Sequence, residues 1–113
     1  MRHATAALIA LLLASPVFAA EGEAAVAAVT DLGKINGQAL ACGEKAAVSR
    51  AKELMLRHAP KTSRFGEAFE QATQQGFLGQ VNGTAACPAA QALAERLDVS
   101  AKRLGELLPA EQK

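Results

Sequence analysis

Apolar residues along this chain recur at intervals of three and four, and almost nowhere at intervals of two. From Ala24 they fall at Val26, Val29, Leu32, Ile35, Ala39 and Cys42. That spacing predicts a helix with one apolar face. Gly33, Gly37 and Ala41 stand four apart on one side of it, a stripe of small residues along which a neighbouring backbone can come close. Glycine inside a helix costs about 1 kcal/mol relative to alanine. Asn36-Gly37 is therefore the expected weak point of the segment, where it bends or breaks.

Three further segments follow. Glu44 to Ala59 places Ala47, Val48, Ala51, Leu54, Met55 and His58 on one side, with Lys45, Arg50, Lys52, Glu53 and Arg57 towards the others. Glu53 and Arg57 form a favourable i, i+4 pair. Pro60 closes the segment by forcing residue 59 out of the helical region. Ser63 is the expected cap of a helix from Arg64 to about Leu78, faced by Phe65, Ala68, Phe69, Ala72 and Gly76 and ended by Gly76 and Gly79. A loop is expected from Gly79 to Ala86, with Asn82-Gly83 taking the positive φ values of a tight turn. Pro88 suits the first position of a last helix, whose stripe is Leu93, Leu97, Ala101, Leu104 and Leu108. No useful stretch alternates apolar and polar residues. The expected fold is all-α: a small antiparallel bundle of three to four helices.

The N-terminus follows a different pattern. Arg2 and His3 precede an unbroken apolar run, Ala4 to Ala14; Ser15-Pro16 interrupts it, and small residues follow at Ala19 and Ala20. This is the layout of an export signal. The run is shorter than the roughly 20 residues a membrane span needs, and Glu21 and Glu23 follow at once. Residues 1–20 are expected to be a cleaved signal peptide and 21–113 a single helical domain with no integral membrane segment. The expected location is the periplasm or beyond, an oxidising compartment.

Export changes the meaning of the two cysteines, Cys42 and Cys87. An even count in an exported chain favours a disulfide, and a bundle brings the two together if its first and last helices are neighbours. Dedicated thiol–disulfide catalysts usually keep both cysteines in a C-x-x-C turn. These two lie far apart in sequence, so a structural staple is the preferred reading and a minor redox role the lesser one.

Charge and composition exclude more than they suggest. The chain has 12 Lys and Arg against 11 Asp and Glu, and loss of Arg2 would leave 11 of each. That balance argues against a nucleic-acid partner bound through bulk positive charge. Trp and Tyr are absent and there are four Phe, which leaves little for aromatic stacking platforms. Gly-rich phosphate loops, G-x-S-x-G turns and zinc-ligand spacings are missing, and the chain does not read as an enzyme. No cofactor is expected.

Three groups remain as candidate sites. Met55 and His58, three apart on one helix, are soft ligands of the kind that take copper(I) or an axial haem position; the plainer reading places Met55 in the core and His58 at its edge. Arg50 and Arg57, with Arg64 at the same seven-residue interval, offer a patch for anionic lipid, glycan or an acidic partner; the plainer reading is a solvated face whose field Glu44 and Glu53 dilute. Phe65 and Phe69, with Phe77, either line a groove or fill the core. The reading that follows is a non-enzymatic accessory or binding protein that presents a helical surface to a protein partner or an unfolded client. The alternative is a carrier of copper or haem through Met55 and His58.

Overall fold

The computed structural model describes residues 16–110, with side chains from residue 22 onward. They form four helices: α1 (Pro16–Ala41), α2 (Lys45–His58), α3 (Ser63–Asn82) and α4 (Ala90–Leu107). Among the described residues there is no strand. None of these helices is long and apolar enough to cross a membrane. Residues 1–15 of the expected export signal lie outside the described residues. Helix α1 begins at Pro16, ahead of the expected boundary after residue 20, and runs through it.

Chain direction alternates from helix to helix, as an antiparallel bundle requires, yet the contacts are not those of a simple ring. Helix α1 is the hub. It meets α2, α3 and α4, while α2 meets α4, and α3 approaches neither α2 nor α4. Non-consecutive neighbours sort by direction. Helix α1 runs parallel to α3, as Asn36 with Thr73 and Gln38 with Gln80 show. It runs antiparallel to α4, where Asp31 meets Arg103 and Gln38 meets Arg96.

The core follows the helical stripes. Val29, Leu32, Ala39, Ala51 and Leu93 are fully buried, and Leu97 and Leu104 nearly so. Met55, Phe69, Ala101 and Leu108 pack against this cluster from its margin. Complete burial of a Leu side chain contributes roughly 1.5–3 kcal/mol, so the α1/α4 seam, with Leu32, Leu93, Leu97 and Leu104, supplies much of the apolar stabilisation.

The seam between α1 and α3 is built differently. A Cβ added at Gly33 would lie 2.7 Å from both the Ala72 Cβ and the Phe69 carbonyl oxygen. One added at Gly37 would fall on the Thr73 carbonyl oxygen, and one at Gly76 on the Lys34 carbonyl oxygen. The small-residue stripe thus marks where two backbones touch, and this corrects two sequence expectations. Asn36-Gly37 does not break α1, because the helix α3 packs directly on it. Gly76 and Gly79 do not end α3, which continues to Asn82; Gly76 is there for close approach to α1.

The connections hold further differences. Helix α1 ends in a Schellman motif: Gly43 takes φ 69°, its N–H reaches the Leu40 carbonyl at 3.3 Å, and the Glu44 N–H reaches the Ala39 carbonyl at 2.9 Å. Ala59, before Pro60, is extended at ψ 131°, as the proline demands. Ser63 is not the cap of α3 but its first residue. Thr62 stands at the cap position, φ −123° and ψ 158°, without a side-chain hydrogen bond. Asn82 is helical and Gly83 has φ −86°, so the pair forms no positive-φ turn. Pro88 precedes α4 rather than opening it; Ala89 is the cap residue and Ala90 the first helical one. Cys87, the residue before Pro88, is anchored by its bond to Cys42 at a Cα separation of 5.8 Å, and α4 begins past that anchor.

Candidate functional site

The Cys42–Cys87 disulfide is formed, closing a sequence separation of 45 residues. It ties the end of α1 to the linker between α3 and α4, whose residues 83–87 are all exposed. Loop-closure entropy for such a span is worth about 4 kcal/mol. This contact is the expected staple, and it joins the first helix to the approach to the last.

Because α3 touches α1 alone, a furrow opens along each of its sides. On the α2 side the furrow is a cleft of about 380 Å³, bordered by Asn36 and Leu40 of α1, Lys52 of α2, and Phe69, Thr73 and Phe77 of α3. Two of its apolar borders are exposed, Leu40 at 43% and Phe77 at 39%, and α3 also exposes Leu78 at 44% and Val81 at 50%. Val81 lies four residues after Phe77 and three after Leu78 in the last turns of α3, and so neighbours each of them.

Asn36 sits at the floor of this cleft. It is buried, and its Nδ2 donates to the Thr73 hydroxyl at 3.1 Å. Its Oδ1 is buried with no hydrogen-bond partner. The Thr73 hydroxyl can donate or accept, so turning the amide over leaves the opposite atom without a partner. An unpaired buried polar atom costs about 1–3 kcal/mol. Nothing in the sequence pattern marks this residue, because an asparagine on an apolar helix face is indistinguishable from a helix breaker until its neighbours are known.

The three groups singled out from sequence meet different fates. Of the aromatics, Phe65 is buried, Phe69 borders both core and cleft, and Phe77 borders the cleft. Phe65 thus belongs to the core, while Phe69 and Phe77 stand at the edge of a cleft.

The basic stripe is dispersed. Arg50 pairs with Asp98 of α4 at 2.6 Å. Arg57 faces Glu53 at 3.9 Å, the expected i, i+4 pair. Arg64 lies beside Gly22 at the other end of α1.

Met55 packs against the core. At the last position of α2, His58 donates from Nδ1 to the Leu108 carbonyl at 2.8 Å. A carbonyl only accepts, so Nδ1 carries the proton of this contact. The imidazole thereby satisfies a carbonyl left open at the end of α4. Among the described residues no group of three or more His, Cys, Asp or Glu is placed to hold a metal ion.

No protein-family model, curated protein or solved structure matches this chain. The functional reading therefore rests on the geometry of its surfaces.

Proposed function

We propose that this protein is a non-enzymatic binding or accessory protein of an oxidising, exported compartment, and that it receives an apolar segment of a protein partner or client in the cleft between α2 and α3. The observation that carries this reading is that Leu40 and Phe77, which border the cleft, are large apolar side chains left exposed, with Leu78 and Val81 exposed further along α3. Contiguous apolar surface of this kind on a small domain marks a place where another molecule docks. Phe69 and Phe77 provide rigid walls, and an aromatic wall is the usual anchor of a protein interface. The unpartnered Oδ1 of Asn36 adds an acceptor that a main-chain N–H of a bound segment would complete once the side chains covering it make room. Export is supported by the N-terminal sequence pattern and by the compatibility of a disulfide with an oxidising compartment.

The reading is tested with a photo-activatable cross-linking residue in place of Phe77 in cells, beside the same residue in place of Lys102 as a control. Covalent adducts at Phe77 that vanish with Leu40→Ser are expected. Adducts no stronger than at Lys102, under both neutral and acid conditions, would overturn it.

A further inference from the structure

The opposite flank of α3 carries chemistry of another kind. Between α3 and α4, over α1, lies a cleft of about 280 Å³ bordered by Lys34, Gln38, Gly79, Gln80, Ala85 and Arg96. A chain of hydrogen bonds crosses it. Arg96 Nη1 donates to Gln38 Oε1 at 2.5 Å. Gln38 Nε2 donates to Gln80 Oε1 at 2.9 Å, and Gln80 Nε2 donates to the Ala85 carbonyl at 3.0 Å.

The direction of this chain is fixed at both ends. A guanidinium has no acceptor, so Gln38 must turn its oxygen to Arg96; a carbonyl has no donor, so Gln80 must turn its nitrogen to Ala85. Both amide oxygens are consequently engaged, while each amide nitrogen keeps a second N–H. Arg96 keeps its remaining donors, and Lys34 adds three more.

Neither Lys34 nor Arg96 has a carboxylate partner among the described residues. Asp31, the acid that borders the adjoining surface with Lys34 and Arg96, is paired with Arg103 at 2.8 Å. The cleft therefore presents two cations and a row of N–H donors supplied from three helices. Gly79, with open space where a side chain would stand, leaves the wall clear.

We infer that the α3/α4 cleft is a binding site for an oxyanion, a carboxylate or phosphate group held between Arg96 and Lys34 with the Gln38 and Gln80 amides as secondary donors. An acceptor-only ligand matches the donors that Arg96, Lys34 and the two glutamine amides leave open, and charge-assisted bonds to guanidinium are the stronger kind. The site is separate from the apolar cleft on the other side of α3 and does not depend on the partner proposed there.

The test is a nuclear magnetic resonance titration of the folded protein with inorganic phosphate and with succinate, following the side-chain amide signals of Gln38 and Gln80. A flotation assay with phosphatidylglycerol vesicles runs in parallel. Saturable shifts at both glutamines are expected, with affinity reduced about tenfold or more in Arg96→Gln and in Lys34→Gln and unchanged in Lys102→Gln. Flotation abolished by Arg96→Gln, without a response to the free anions, would assign the oxyanion to a lipid headgroup. No response in either assay, or equal responses from the wild type and both charge variants, would overturn the site. Retained helical circular dichroism in each variant separates loss of binding from loss of fold, and Gln80→Ala, which removes a neutral donor, gives a second reading at constant charge.

Discussion

The two sides of α1 are held by opposite means. Towards α4 and α2 it offers volume: Val29, Leu32 and Ile35 meet Leu93, Leu97 and Leu104, with the disulfide at one end and the Arg103–Asp31 pair further along. Towards α3 it offers absence: Gly33 and Gly37 let the Phe69 and Thr73 main-chain carbonyls come within contact. Side-chain packing tolerates small adjustments, because rotamers can move. Backbone contact does not, because a carbonyl oxygen cannot step aside without shifting its helix. The cost of the second arrangement is isolation. Helix α3 borders no other helix closely, and both clefts, apolar on one flank and donor-lined on the other, exist because of that isolation.

Five changes test this contrast. The largest effect is expected from the staple. Cys42→Ser should lower stability by about 4 kcal/mol, less any strain released, and the loss should appear in the thermal midpoint without reductant and vanish under it. Mass spectrometry of the unreduced wild type should show two hydrogens fewer than the dithiol form. Two free thiols in protein recovered from an oxidising compartment would remove the staple from the account.

Leu97→Ala should cost about 2–5 kcal/mol in denaturant unfolding, since Leu97 is 1% exposed and its loss leaves a cavity in the α1/α4 seam. A cost below about 1 kcal/mol would mean that this side does not depend on volume.

Gly37→Ala sharpens the comparison most. It adds one methyl group where a carbonyl oxygen already stands, so overpacking should cost about 1–3 kcal/mol. Hydrogen exchange should show protection falling along α3 while Leu93, Leu97 and Leu104 of α4 keep theirs. Uniform loss across all four helices would show that the two sides unfold as one unit.

Gly43→Ala tests the turn between α1 and α2. No atom obstructs a Cβ there, but φ is 69°, and the left-handed conformation should cost about 1–2 kcal/mol in the same unfolding assay. The smallest effect belongs to Arg50→Ala. Its pair with Asp98 is partly exposed, and the expected loss is under about 1 kcal/mol, diminishing with added salt.

Much of this architecture is legible in the sequence, and the legible parts share a cause. Leu93, Leu97 and Leu104 announce a buried face because helical periodicity and burial are local properties. The stop at Pro60 is equally local, as it follows from one residue's geometry. The ends of α3 are not. Ser63 reads as a cap and Gly79 as a stop, but both preferences are weak and are overridden when a helix gains a packing surface along its length. Gly76 shows the same point from the other side: in sequence it is a helix breaker, and in the fold it is what lets α3 lie against Lys34. The clefts were less legible still. Phe77 and Leu40 carry no mark that separates exposed from core, and the Arg96–Gln38–Gln80 chain joins residues 38, 80 and 96, which no spacing rule connects.

By itself, then, the sequence determined the helices, their apolar faces, the single pair of cysteines available for a bond and the small-residue stripe on α1. The tertiary structure alone decided which helix takes which face of α1. Apolar periodicity says that a face must be covered, and many partners of similar volume would cover it. Only the fit of the Gly33 and Gly37 backbone to that of α3, and of the leucine rows to each other, selects one arrangement, because contact energies depend on distances that a linear pattern does not contain.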